Sequence, residues 1–229
     1  MAGLGSRFAD KGYELPKPLI KFLGKPMIQH VVESLAIDGH YIFLVQKAHR
    51  VTYHLDDVLD GIAPGCSIVE VDGLTEGAAS TSLLAKHLIN NQNPLVIANS
   101  DQIVTWDSLY FLELLTASDG ITAVFEANDP KWSYVTSDDG VSVTGVVEKQ
   151  VVSNIANVGI YGWASGAEYV RAAERMIAKD IRTNSEFYIA PAYNEAIANG
   201  AHIVTLQVEE MHGVGTPEDL DKYIRSTVD

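Results

Sequence analysis

The sequence holds a single cysteine, Cys66, in 229 residues, which excludes an intramolecular disulfide and suits a reducing compartment. Long apolar runs are missing too: none approaches the ~18 residues that span a bilayer, and the first residues form no apolar leader. Both scarcities lead us to expect a cytoplasmic chain with no membrane partner. Positive charge is short, with 16 Lys and Arg against 30 Asp and Glu and a formal net charge of −14. A nucleic-acid backbone calls for a basic footprint, so that class of partner is not expected.

What positive charge there is gathers at one end. Residues 1–26 carry Arg7, Lys11, Lys17, Lys21 and Lys25 against only Asp10 and Glu14. Such a start reads either as a local site for a small anion or as a solvated basic face. Hydrophobic residues make up 47% and charged residues 20%, an ordinary globular balance. The length suits one α/β domain, expected over residues 1–229, with a nucleotide-binding half (1–130) and an acceptor-binding half (131–229).

Short runs rich in β-branched residues at 41–46, 67–71, 94–100 and 121–127 read as buried strands. Helical stretches are expected between them, at 26–36, 48–60, 77–90 and 106–117. This βαβ rhythm predicts a mainly parallel sheet covered by helices. Beyond residue 130 the pattern changes to a hairpin around Asp138-Asp139-Gly140, a strand at 155–163 and a late strand at 202–208. A closing helix is well signalled by Thr216 as cap, Pro217 at the first position and acids in the first turn.

Two short stretches carry the chemistry. In Gly3-Leu4-Gly5-Ser6-Arg7 the glycines permit a tight turn with inward N–H groups, and Arg7 adds a planar fork of donors suited to phosphate. A dinucleotide fingerprint would need a third glycine where Phe8 stands. Further on, Pro16 and Pro18 bracket Lys17 and favour extended backbone around it, turning a loop lysine into a positioned charge. The histidines form no zinc quartet, and Trp132, Tyr134 and Trp163 read as core aromatics or as stacking groups.

Taken with Pro16-Lys17-Pro18-Leu19 and Gly24-Lys25-Pro26-Met27, the glycine loop resembles the signature of the sugar-phosphate nucleotidyltransferases, the nucleoside-diphosphate-sugar pyrophosphorylases. The resemblance implies a three-layer αβα, Rossmann-like nucleotide-diphospho-sugar transferase (GT-A-like) fold with a mainly parallel mixed sheet. It implies transfer of a nucleotidyl group from a nucleoside triphosphate to a phosphorylated small-molecule acceptor, with Mg²⁺ as cofactor. Gly3, Leu4, Gly5 and Ser6 would cradle the triphosphate, Arg7 would hold its β- and γ-phosphates, and Lys17 the α-phosphate. Glu76 and Gly77 would face the nucleobase, and Asp101 would bind the metal. On the acceptor side, Glu148 would meet hydroxyls and Lys149 the phosphate, with Asn157 and Glu186 as further hydrogen-bonding groups. A homo-oligomer is compatible with this reading.

The chain departs from the family pattern in two places. Where many members carry a second metal-binding aspartate, two residues before Gly-Thr, this sequence has Gly213; Glu209 or Glu210 is a candidate substitute. Members also place an apolar strand directly before the glycine loop, so we expect a native-length form with roughly six to eight more apolar residues. Two rival readings stand beside the main one: a GT-A-type glycosyltransferase, and a non-catalytic nucleotide-binding or regulatory subunit of the same fold. The glycosyltransferase reading wants Asp-x-Asp, where this chain has Ser100-Asp101-Gln102.

Overall fold

Apolar residues in Ile42–Gln46 and Ser67–Val71 pair these two strands in parallel, Ile42 opposite Ser67 and Gln46 opposite Val71. The computed structural model describes residues 1–3 and 5–228; Leu4, Asp229 and the side chain of Val228 lie outside the described residues. The chain divides into two units, the first built from Met1–Leu74, Asn99–Trp106 and Glu209–Asp229, the second from Thr75–Ala98 and Asp107–Val208.

In the first unit, the crossover between the parallel strands is two helices, Lys47–Thr52 and Leu55–Ile62, where the sequence predicts one. The break falls at His54, in the left-handed region at φ 50°, and it lets Leu55 and Leu59 turn inward to near-complete burial. They join Leu19, Ile28, Phe43, Val45 and Ala63 in one core. Helix Met27–Leu35 adds Met27, Val31 and Leu35, each buried apolar side chain contributing roughly 1.5–3 kcal/mol. Before it, Lys21–Phe22 and Lys25–Pro26 form a small antiparallel ribbon. Leu23 and Gly24 make its turn, both at positive φ, as a two-residue hairpin turn requires.

A second ribbon in this unit pairs Gln102–Thr105 with Glu210–Gly213, antiparallel, with Gln102 opposite Gly213 and Thr105 opposite Glu210. Helix Pro217–Val228 follows, capped as predicted: Thr216 Oγ1 accepts the Asp219 N–H at 3.1 Å and donates to the Asp219 carboxylate at 2.8 Å.

The second unit is built on a six-stranded mixed sheet. Its centre is Ile155–Trp163, antiparallel to Gly120–Glu126 on one edge. On the other edge its first half meets Ser133–Thr136 at Ala156, and its second half meets Leu95–Ala98 at 160–163. The predicted hairpin is present, with Ser133 opposite Glu148 and Thr136 opposite Gly145. Ile203–Gln207 lies parallel to Gly120–Glu126. The predicted parallel character therefore resides in strand direction: Leu95–Ala98, Gly120–Glu126, Ser133–Thr136 and Ile203–Gln207 all run opposite to Ile155–Trp163. Tyr193 stacks on Trp163 at 4.5 Å and its hydroxyl donates to the Ile121 and Gly162 carbonyls, a buried phenol with its hydrogen bond made.

Candidate active site

In the first unit the glycine loop and the proline-flanked lysine meet. Gly5 sits at φ 64° and ψ 25°, and a Cβ there would lie 3.3 Å from Lys17 Cβ, so the turn rests against the lysine. The chain then makes one helical turn, Ser6–Ala9, pinned by Phe8, which is 1% exposed. Arg7 is exposed and, among the described residues, has no ion-pair partner, so its fork of donors is uncommitted. Gln46 secures the start of the segment by donating to the Ala2 carbonyl at 2.5 Å and the Gly73 carbonyl at 2.9 Å. Leu4, expected in the same cradle, lies outside the described residues.

Lys17 differs from expectation in its backbone. Pro16 is extended, at φ −53° and ψ 141°, but Lys17–Leu19 form a 3₁₀ turn closed by the Leu19 N–H on the Pro16 carbonyl at 2.8 Å. The lysine is still fixed, by a turn instead of a rod. Its ammonium donates to Asp101 Oδ2 at 2.7 Å, both side chains being 22% exposed.

Asp101 follows strand Leu95–Ala98 and immediately precedes Gln102–Thr105. Its carbonyl accepts the Val214 N–H at 2.8 Å, and a Cβ on Gly215 would stand 2.7 Å from its Oδ2. The C-terminal ribbon thus brings bare backbone against this carboxylate. Gly213 lies opposite Gln102, while Glu210 is opposite Thr105, three positions further along and about 10 Å away at strand rise. Neither Glu209 nor Glu210 therefore substitutes for a second acid beside Asp101. Among the described residues no three His, Cys, Asp or Glu side chains group as a metal site. Oδ1 of Asp101 carries no hydrogen bond among those residues, leaving one hard oxygen for a cation. One carboxylate suits Mg²⁺, which commonly takes one or two together with phosphate oxygens and water.

The second unit holds the other expected groups. Gly77 adopts φ 129°, and a Cβ there would fall 2.5 Å from both N and O of Phe187, so only glycine fits. Around it, the Phe187 N–H donates to the Glu76 carbonyl at 2.7 Å and the Ala79 N–H to the Phe187 carbonyl at 2.9 Å. The Glu76 carboxylate is not free: Arg182 Nη2 donates to it at 2.8 Å. Nothing in the sequence signals Arg182, whose partner is 106 residues away.

Glu148 ends its strand, opposite Ser133. Burial pushes its carboxyl up to about 7; Lys149 opposes that shift and the Glu186 charge adds to it. Lys149 is held in the left-handed region at φ 56° and lies 4.8 Å over the Tyr188 ring, and such off-basin backbone collects at ligand sites. Burial raises the Tyr188 phenol, whose hydroxyl also interacts with Lys149 and Glu186. Glu148, Lys149, Glu186 and Tyr188 thus lie within electrostatic reach of one another. Asn157 faces inward instead: it is 2% exposed, donates to Ser133 Oγ at 2.7 Å and accepts from Thr122 Oγ1 at 2.6 Å. It underlies the row of side chains that runs from Asn157 through Ser133 to Glu148.

A family model described as nucleotidyl transferase matches residues 1–226. Among curated proteins, the bifunctional protein GlmU of Methanocaldococcus jannaschii is 28% identical over 165 residues, covering 70% of this chain and 38% of its own length. A mannose-1-phosphate guanyltransferase of Pichia angusta is 30% identical over 175 residues, covering 70% of this chain and 47% of its own length. The chain thus spans less than half the length of these relatives. Among solved structures, a nucleoside-diphosphate-sugar pyrophosphorylase from Vibrio cholerae superimposes with TM-score 0.87 at 25% identity, covering 98% of both chains. A UDP-glucose pyrophosphorylase solved with UDP-glucose gives TM-score 0.75 at 18% identity, over 99% of this chain and 96% of its own, and speaks for the fold.

Proposed function

The chain belongs to the nucleotidyl transferase family, and on that premise we propose that it moves a nucleoside monophosphate from a nucleoside triphosphate to a sugar 1-phosphate or similar small phosphorylated acceptor. The observation that carries this reading is the 2.7 Å contact of Lys17 with Asp101, beside a glycine turn that rests on the same lysine. A fixed cation, a carboxylate and a turn with open N–H groups are what a triphosphate needs. A sugar phosphate as acceptor is supported by the names of the relatives, a mannose-1-phosphate guanyltransferase among them.

In this reaction an oxygen of the acceptor phosphate attacks the α-phosphorus in line. A new P–O bond forms as the bond to the bridging oxygen breaks, and pyrophosphate leaves with the electron pair. Both reactants are anions, so the protein's work is to position them and offset their charge. Arg7 takes the β- and γ-phosphates with its uncommitted fork, and Lys17 moves from Asp101 to the α-phosphate. Gly3, Gly5 and Ser6 supply the cradle. Glu76 and Gly77 line the nucleobase edge, with the Glu76 carboxylate already oriented by Arg182.

On the acceptor, Lys149 meets the phosphate while Glu148 and Glu186 meet hydroxyls. With a carboxyl near 7, Glu148 is part protonated at neutral pH and both donates and accepts hydrogen bonds. Asn157 supports Glu148 from beneath, through Ser133. Mg²⁺ held by Asp101 and phosphate oxygens would supply charge neutralisation at the α-phosphate and leaving group. Pyrophosphate release, measured with ATP, CTP, GTP, UTP and dTTP against glucose 1-phosphate and mannose 1-phosphate, tests the reading. Release that requires both partners is expected; no release with any pair overturns it.

A further inference from the structure

Arg182 lies on no strand or helix, yet all three guanidinium nitrogens donate and one face of the group is stacked. Nε donates to Asp180 Oδ1 at 2.5 Å, Nη1 to the Ser185 carbonyl at 3.2 Å and Nη2 to Glu76 Oε1 at 2.8 Å. The plane of the group lies 3.9 Å over the Phe187 ring. Lysine, with one compact charge, cannot reproduce a fork that stacks and binds three partners at once.

The segment it organises is strained. Asp180, Asn184 and Ser185 all sit at positive φ, at 52°, 48° and 66°. Backbone of this kind persists only where its surroundings over-determine it. Arg182 binds two of the three residues directly, and a Thr183–Glu186 pair of backbone hydrogen bonds, both 3.0 Å, closes the loop between them.

Phe187 then joins two substrate-facing pieces. Its own N–H and carbonyl are bonded to Glu76 and Ala79, across the glycine contact at Gly77. Its chain neighbours Glu186 and Tyr188 belong to the group around Glu148 and Lys149. One residue's backbone therefore ties the turn that faces the base to the loop that faces the acceptor, and Arg182 covers that residue's ring.

We propose that Arg182 is a positioning residue that locks the Glu76–Gly77 turn to the 183–188 loop, so that binding of the nucleotide and binding of the acceptor are coupled through it. The assignment of the two pieces to the two substrates rests on the reading given above. A shift of either piece on binding is carried to the other by the shared backbone, so the first substrate sets the geometry the second meets. By linkage the effect is mutual: each substrate raises the other's affinity by the same factor.

The test combines amide exchange with binding, on the full chain, for wild type, Arg182→Ala and Arg182→Lys. In Arg182→Ala, exchange at the Ala79 and Phe187 amides should quicken at least tenfold while helix Gly166–Ala178 is unchanged. With the triphosphate and sugar phosphate that wild type turns over, the KM of each should rise about tenfold with kcat within about threefold, and the mutual enhancement of affinity should vanish. Arg182→Lys should recover less than half of either effect. Glu76→Ala, which keeps the arginine but removes the acceptor of its Nη2, should show the same exchange signature should Arg182→Ala fold poorly. Wild-type exchange at Ala79 and Phe187 in both variants, or a KM change for one substrate alone, overturns the proposal. Absence of pyrophosphate release in wild type itself would count against the nucleotidyl-transfer reading instead, and the exchange arm would still decide the clamp.

Discussion

Lys17 Nζ stands 2.7 Å from Asp101 Oδ2, two half-buried charges drawn together from positions 84 residues apart. Each holds the other ready. The carboxylate keeps the ammonium aimed and charge-compensated, and the proposed role asks the lysine to exchange that partner for a phosphate oxygen. Lys17→Ala should therefore lower turnover ~10²–10³-fold and cost about 1–3 kcal/mol of stability, since it leaves the part-buried Asp101 carboxylate without its partner. Comparison of melting temperature with initial rates checks this; a variant that loses stability and keeps its rate contradicts the role.

Gly77 and Gly215 make a pair of opposed expectations for the same substitution. At Gly77 an added Cβ meets fixed backbone of Phe187 at 2.5 Å, at a φ of 129°. Gly77→Ala should cost about 3 kcal/mol or more and lower Tm by roughly 5–10 °C. Calorimetry reads this directly.

At Gly215 the added Cβ meets only the Asp101 carboxylate end, at 2.7 Å, which swings aside. Gly215→Ala should leave Tm within about 2 °C while displacing Asp101 from Lys17. Turnover should fall about tenfold, with a higher Mg²⁺ requirement, because a small misplacement of a charge is costly in such chemistry. Unchanged turnover across a Mg²⁺ titration would show that Asp101 has no such part.

Glu148 links stability to pH with a definite sign. Its carboxyl is raised from 4.5 to about 7 in the folded protein, so between those values the native state binds more protons than the unfolded chain. The stabilisation is complete below pH 4.5 and is lost as pH rises through about 7. Glu148→Gln should remove that slope, gaining about 1–3 kcal/mol relative to wild type between pH 5 and pH 8. Urea unfolding at a series of pH values checks it; parallel profiles for the two proteins would contradict the shift.

Much of this was legible before the structure. The strands at 42–46, 67–71 and 155–163, the 133–148 hairpin and the capped last helix follow from apolar runs, alternation and capping chemistry. The meeting of the glycine loop with Lys17 follows from the family signature. What escaped depends on distance in sequence. The Gln102–Thr105 and Glu210–Gly213 strands are too short and mixed to announce themselves, and they form only because each finds the other. Arg182 and Glu76 are likewise a pair that no local pattern reveals. Asn157 has the right residue type for a ligand contact, but its direction was set by Ser133 and Thr122, which satisfy its amide within the sheet. The split of the 47–62 crossover into two helices reflects the burial of Leu55 and Leu59 overriding a continuous helical pattern.

The measurement closest to the central claim follows both products at once. Phosphorus NMR of wild-type protein with a nucleoside triphosphate, a sugar 1-phosphate and Mg²⁺ should show pyrophosphate and a nucleoside-diphosphate sugar appearing in equal amounts. Neither should form when either substrate is left out, and Lys17→Ala should slow both together. Pyrophosphate without the sugar nucleotide, or neither product with any triphosphate and sugar phosphate tried, would contradict the account.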